Sequence, residues 1–139
     1  MAFRDFSLFN FKSKETKDKE QIAYELWAFP YGQEQRSKLD ALMHELFPKG
    51  RREFLMVGFL TCKELYNKYS EKCETEEKAL WYIINEEREQ SQIVKKNDLT
   101  TFLALVLADK DIDERCEYPS ADELRARALE FDSLRNKRR

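Results

Sequence analysis

Residues 51–71, RREFLMVGFLTCKELYNKYSE, carry a long run of apolar residues at helical spacing. The repeating positions are Leu55, Phe59, Cys62, Tyr66 and Tyr69. Other apolar residues between positions 54 and 60 broaden this stripe, so the first half of the segment is apolar on nearly every side. We therefore expect a helix through the middle of the core. Because glycine in a helix costs about 1 kcal/mol relative to alanine, Gly58 predicts a point where another helix approaches closely.

The remaining sequence predicts further helices on both sides of this segment. The clearest pattern has apolar residues at i, i+3, i+4, i+7 and i+8, at Leu39, Leu42, Met43, Leu46 and Phe47. Thr75, followed by two glutamates, and Ser120, with Glu123 three positions later, are typical helix starts. Helices are predicted at about 21–29, 33–47, 51–71, 75–90, 97–109 and 120–135. The fold class is therefore all-α, a compact irregular bundle of about five to six helices.

The composition indicates one folded domain over residues 1–139. Hydrophobic residues make up 42% of the chain and charged residues of both signs 37%, and no Gly-, Ser- or Pro-rich linker interrupts it. Residues 1–20 form a candidate aromatic N-terminal arm, and 136–139 form a basic tail. The pattern over residues 1–30 does not decide between helix, strand and arm, because its apolar spacing suits more than one of them.

Cysteine usage and the N-terminal sequence predict a cytoplasmic protein. The three cysteines form no CxxC pair, which is typical of a reducing compartment. The first residues lack the continuous apolar stretch of a secretory signal, and no window reaches 18 uninterrupted apolar residues. We expect no membrane span.

The residues that could perform catalysis or bind metal are few. His44 is the single histidine, and a zinc site of the HExxH type is excluded because position 48 is proline. The spacing Asp109, Asp111, Asp113 is like the first ligands of a calcium loop. However, the glycine and the bidentate glutamate of such a loop are missing, which favours a solvated acidic loop. We therefore expect no metal, no cofactor and no enzymatic activity.

The sequence favours one role for Cys62 and leaves one possible pairing of His44 open. Cys62 falls on the core stripe of its predicted helix, and this position favours simple packing. A Cys–His nucleophilic pair of His44 with Cys62 or Cys73 remains geometrically allowed, since such partners meet in space and not in sequence.

Aromatic residues near the N-terminus are the most distinctive feature of the chain. The candidate partner-binding residues are Phe3, Phe6, Phe9, Phe11, Trp27, Phe29 and Tyr31. Four phenylalanines within eleven residues would form a sticky patch if exposed, so they either cover the bundle or contact a partner. The second alternative gives the leading hypothesis. It describes a small protein-interaction or regulatory module without catalytic activity, with a protein partner or self-association.

Nucleic-acid binding is the alternative hypothesis, and it rests on basic residues. The candidates are Arg51, Arg52, Arg135, Lys137, Arg138 and Arg139. Carboxylates interrupt the basic face of the last helix, and the net charge of the chain is −2. If the hypothesis holds, affinity for nucleic acid should fall steeply as salt rises.

Overall fold

Five α-helices and no β-strand are present in the residues that the structure, a computed structural model, describes, namely 31–87, 94 and 96–136. The helices are α1 (Gly32–Leu46), α2 (Arg52–Lys72), α3 (Glu76–Tyr82), α4 (Lys96–Lys110) and α5 (Ala121–Asp132). A π-helical turn, Ile83–Glu87, continues α3, and a 3-10 turn, Ser133–Asn136, continues α5. The predicted all-α bundle is confirmed. That it forms one domain over residues 1–139 stays a prediction.

Most predicted helix bounds agree with the structure. The predictions at 33–47, 51–71 and 97–109 match α1, α2 and α4 to within one residue at each end. The Ser120 hydroxyl accepts a hydrogen bond from the Glu123 backbone N–H at 3.1 Å, and the Glu123 carboxylate accepts one from the Ser120 N–H. The Thr75 hydroxyl caps α3 in the same way, accepting from the Lys78 N–H at 3.2 Å. The predicted helix at 21–29 lies outside the described residues.

The segment predicted as a helix at 75–90 is α-helical to Tyr82 and π-helical from Ile83 to Glu87, and residues 88–90 lie outside the described residues. Regular α-helical geometry ends at Tyr82, and the chain widens into the π-helical turn. Ile83 and Ile84 are consecutive and both fully buried. The Asn85 side-chain amide donates hydrogen bonds of 3.0 Å to the backbone oxygens of Trp81 and Leu134. Because the second bond joins the π-helical turn to the 3-10 turn after α5, packing between distant segments accompanies this change of geometry.

Helices α2 and α4 pack side by side and run in the same direction. Gly58 of α2 lies against the Phe102 ring of α4. Further toward the C-terminal end of both helices, the Lys63 ammonium of α2 lies 3.9 Å from the Asp109 carboxylate of α4. A Cβ atom built on Gly58 would lie only 2.7 Å from the Phe102 ζ carbon. The predicted close approach at Gly58 is therefore confirmed, and the group that approaches is the Phe102 ring.

Helix α1 packs against α2 and α5 and runs in the direction opposite to α4. Near its start, the Gln35 side-chain amide donates a hydrogen bond of 2.7 Å to Asp109, at the end of α4. Just after its last residue, the Phe47 ring stacks on Phe102 with ring centroids 4.6 Å apart. The two ends of α1 therefore lie at opposite ends of the bundle.

Helix α5 also runs opposite to α4. Tyr118, just before α5, donates a hydrogen bond of 2.6 Å to Asp109, while Asp132 at the end of α5 accepts one of 3.1 Å from Thr100. The apolar faces of these helices meet in one core. Its largest fully buried side chains are Phe59, Leu39, Met43, Leu60, Ile83, Ile84, Leu99, Leu103, Leu105 and Leu107. Among the described helices, none combines the length and the apolar character that crossing a membrane requires.

Candidate functional site

A groove of about 860 Å³ lies where α1 turns into α2, and we call it the α1–α2 groove. Its lining combines the end of α1, the turn, the start of α2 and the first half of α4. The lining residues are Leu46, Phe47, Pro48, Lys49, Gly50, Arg51, Phe54, Leu55, Val94, Asp98 and Phe102. Most of these side chains are apolar, which is the usual character of a binding groove in a protein.

Three phenylalanines give the groove its aromatic surface. The stacked pair Phe47 and Phe102 forms one wall, and Phe102 is only 4% exposed. Phe54 lies at the rim with 47% of its surface exposed, a large fraction for a phenylalanine. The exposed cations Lys49 and Arg51 lie at the same rim. The groove therefore combines an apolar wall with positive charge at its edge.

The local sequence explains why the chain bends at this point. Pro48 has no backbone N–H for a helix, and the Gly50 N–H instead donates a hydrogen bond of 2.9 Å to the Phe47 oxygen. A Cβ on Gly50 would lie 2.6 Å from a δ carbon of Leu55, so Gly50 lets the first turn of α2 pack tightly onto the turn. The turn thereby places both Phe47 and Phe54 on the lining of the groove.

A buried polar cluster lies at the opposite end of the bundle. Asp109 is only 6% exposed, and one of its carboxylate oxygens accepts hydrogen bonds from both Gln35 and Tyr118. The Lys63 ammonium is 3.9 Å from the other oxygen. Burial, and then the hydrogen bond to Asp109, raise the pKa of the Tyr118 hydroxyl. The cluster joins α1, α2, α4 and the segment before α5 through partnered polar groups.

The sequence-based interpretation of Asp109 as part of a solvated loop is wrong. The residue lies in α4 and its carboxylate contacts Gln35, which is 74 positions away in the chain and fully buried. By contrast, the exposed Asp113 carboxylate accepts hydrogen bonds from Arg115, and these bonds lower the pKa of Asp113. Among the side chains that the structure describes, within 31–85, 94 and 98–135, no three of His, Cys, Asp or Glu are grouped so that they could hold a metal ion. The Asp109 carboxylate is therefore directed into the buried polar cluster, where Gln35 and Tyr118 bond it.

His44 and the buried cysteines lie in different surroundings. His44 is exposed on α1, and its Nδ1 lies 2.9 Å from the Asp40 backbone oxygen. Cys62 and Cys116 are fully buried, and burial raises the pKa of the Cys62 thiol. The expected packing role of Cys62 is confirmed. Neither the α1–α2 groove nor the smaller recess beside the start of α5 is lined by His44 together with a cysteine.

Of the candidate partner-binding residues, the structure describes Tyr31 alone. Tyr31 is 40% exposed and precedes α1, where its backbone N–H donates a hydrogen bond of 3.2 Å to the Gln35 side chain. It lies at the end of α1 that is remote from the α1–α2 groove. The other candidates lie outside the described residues and are Phe3, Phe6, Phe9, Phe11, Trp27 and Phe29.

The basic candidates that the structure describes differ in their surroundings. Arg52 makes an ion pair of 3.0 Å with Asp40, and Arg135 makes one of 2.9 Å with Asp132. Arg51 immediately precedes α2 and lines the groove. Lys137, Arg138 and Arg139 lie outside the described residues. Two of the three described candidates thus have carboxylate partners within the chain, which leaves less positive charge at these candidates for a phosphate backbone.

Sequence reasoning missed the α1–α2 groove as a site. Phe47, Phe54 and Phe102 each appear in the sequence as apolar residues of predicted helices, and nothing local signals that they meet. The turn Pro48-Lys49-Gly50 could have indicated the groove, because a short turn brings the end of one apolar helix next to the start of another.

The chain matches no protein-family model, no curated protein and no solved structure.

Proposed function

We propose that this chain is a small cytoplasmic protein-interaction or regulatory module that binds a protein segment in the α1–α2 groove and performs no chemistry. The groove itself is the basis of this proposal. The stacked rings of Phe47 and Phe102 form its wall, and Phe54 lies at its rim. A groove with such a lining fits the apolar face of a short helix or an extended peptide.

The charges around the groove favour particular neighbours for the apolar anchor. Lys49 and Arg51 are exposed at the rim, and Asp98 lines the groove beside the start of α4. A bound segment would therefore gain from acidic residues flanking its apolar side chains. Such pairs at an exposed rim influence the rate and the specificity of association more than the final affinity.

A peptide-display selection against the full chain tests the proposal. We expect enrichment of peptides that carry two or more large apolar residues, and loss of their binding by about 10- to 100-fold in Phe54→Asp, as for the truncation of an interface anchor. Phe54 is at the third position of α2, where an acidic residue suits the helix dipole, so this variant should retain its fold.

The matched control is Leu129→Asp. Leu129 is 70% exposed on α5 and does not line the groove. It should leave peptide binding unchanged, and far-UV circular dichroism should give the same helix content for both variants. If no apolar peptide is enriched, or if both variants weaken binding equally, the groove is not the interaction site.

Nucleic-acid binding remains the alternative proposal. It would use Arg51 together with the basic tail, and it predicts that affinity for single-stranded or duplex DNA falls steeply between low and physiological salt. The internal ion pairs of Arg52 and Arg135 do not favour it. Binding that is independent of salt would contradict it.

A further inference from the structure

We propose that residues 3–11 of the same molecule occupy the α1–α2 groove and compete there with a protein partner. This inference rests on the proposed function, because it makes the groove a regulated binding site. In this arrangement the N-terminal phenylalanines cover the bundle, which is one of the two alternatives that the sequence allows; the other is contact with a partner.

The length of chain between Phe11 and Tyr31 allows this arrangement. The described chain begins at Tyr31, at the start of α1, while the groove lies at the end of α1. A helix of 15 residues such as α1 is about 22 Å long at 1.5 Å per residue. The 20 residues from 12 to 31 span about 30 Å even as continuous helix, and up to roughly 70 Å when extended. Phe11 can therefore reach the groove without strain in the connection.

The chemistry of residues 3–11 suits the groove better than that of the neighbouring segment 88–93. The sequence FRDFSLFNF places four phenylalanines and one leucine within nine positions. Residues 88–93, REQSQI, carry one apolar side chain, Ile93. Aromatic rings pack well against other rings in stacked or edge-to-face pairs, and Phe47, Phe54 and Phe102 line the groove. The N-terminal segment is therefore the better match for this surface.

Covalent connection favours the segment of the same molecule over that of a second copy. A connection of about 20 residues gives an effective concentration in the millimolar range. A second molecule reaches such a concentration only in a millimolar solution. At the concentrations at which a small protein is usually studied, occupation within one molecule should therefore dominate.

Site-specific photo-crosslinking in the full chain tests the proposal. Incorporation of p-benzoylphenylalanine in place of Phe54 puts the probe at the groove rim, and in place of Leu129 it gives a matched exposed control on α5. The protein is irradiated at about 1 µM, roughly a thousandfold below the millimolar effective concentration. Peptide mapping by mass spectrometry then identifies the crosslinked residues.

We expect a product of monomer mass in which the probe at position 54 is joined to residues 1–11, and no such product with the probe at position 129. The Phe6→Ser/Phe9→Ser double variant should lose most of the product. Crosslinks only to other segments, crosslinks only in dimers, or no crosslink to residues 1–11 would each overturn the proposal.

Peptide affinity gives a second readout that separates this inference from the proposed function. If the segment covers the groove 90–99% of the time, a peptide from the display selection should bind Phe6→Ser/Phe9→Ser about 10- to 100-fold more tightly than the original chain. Unchanged affinity, with peptide binding intact, would overturn the inference and leave the proposed function standing. A crosslink to residues 1–11 in a protein that selects no peptide would do the reverse.

Discussion

Replacement of Gly58 by alanine sets two opposing effects of known size against each other. Alanine in the middle of α2 should stabilise the helix by about 1 kcal/mol relative to glycine. The new Cβ, however, would lie 2.7, 2.9 and 3.2 Å from three ring carbons of Phe102. To restore an ordinary contact of 3.4 Å, the ring or the helix must move by several tenths of an ångström.

Phe102 has little freedom to make this movement. Its ring is 4% exposed and already stacked on Phe47 at 4.6 Å. Overpacking of a dense core costs about 1–3 kcal/mol. With the helix gain subtracted, Gly58→Ala should lower the free energy of unfolding by about 1 kcal/mol. Because Phe102 lines the α1–α2 groove, the same change should also weaken peptide binding.

Urea unfolding followed by far-UV circular dichroism measures this effect, and Phe102→Leu provides the background that isolates its cause. The smaller leucine leaves space opposite residue 58, so in that background Gly58→Ala should become neutral or stabilising by up to about 1 kcal/mol. Two results would refute this explanation. Gly58→Ala would raise the free energy of unfolding of the original chain, or it would lower it equally in both backgrounds, and the contact with Phe102 would then not be the cause.

Three further predictions concern other parts of the bundle. The pKa of Tyr118 is raised in the folded protein above its ordinary value of 10.0. Above this pH the phenol ionises in the unfolded chain but stays protonated in the folded one, so the free energy of unfolding falls as pH rises. Tyr118→Phe should remove up to about 1.4 kcal/mol per pH unit of that fall, measured by urea unfolding between about pH 9 and 11, and equal slopes would contradict the assignment. Native iodoacetamide labelling with mass spectrometry should modify the partly exposed Cys73 before the buried Cys62, which should react only after denaturation; simultaneous labelling would show that the core opens readily. Arg51→Asp should raise stability by roughly 0.5–1 kcal/mol in thermal melts, since α2 begins after an extended residue 51 whose side chain makes no capping bond; a lower melting temperature would count against it.

The positions of the helices follow from local sequence because helix formation depends on neighbours three and four residues apart. The stripe from Leu55 to Tyr69 predicts α2 to within a residue, and the capping box of Ser120 and Glu123 predicts the start of α5. Both signals lie within a few turns of chain, so they act in the same way whatever the rest of the protein does.

The prediction for 75–90 shows where local patterns stop being sufficient. Ile83 and Ile84 are adjacent in sequence and both fully buried, and Asn85 bonds to Leu134, which is 49 positions away. The apolar pattern of residues 75–90 carries no information about where Leu134 lies in the fold. The π-helical turn could therefore not be derived from the pattern.

The sequence by itself determined the fold class and the start and end of most described helices, because these depend on apolar periodicity and on capping residues. Only the tertiary structure decided the environment of Asp109 and the existence of the α1–α2 groove. Asp109 is buried because Gln35 and Tyr118 arrive from other parts of the chain to bond its carboxylate. The groove exists because a turn and a distant helix bring Phe47, Phe54 and Phe102 together. Both depend on contacts between residues far apart in sequence, and the order of residues along the chain does not show such contacts.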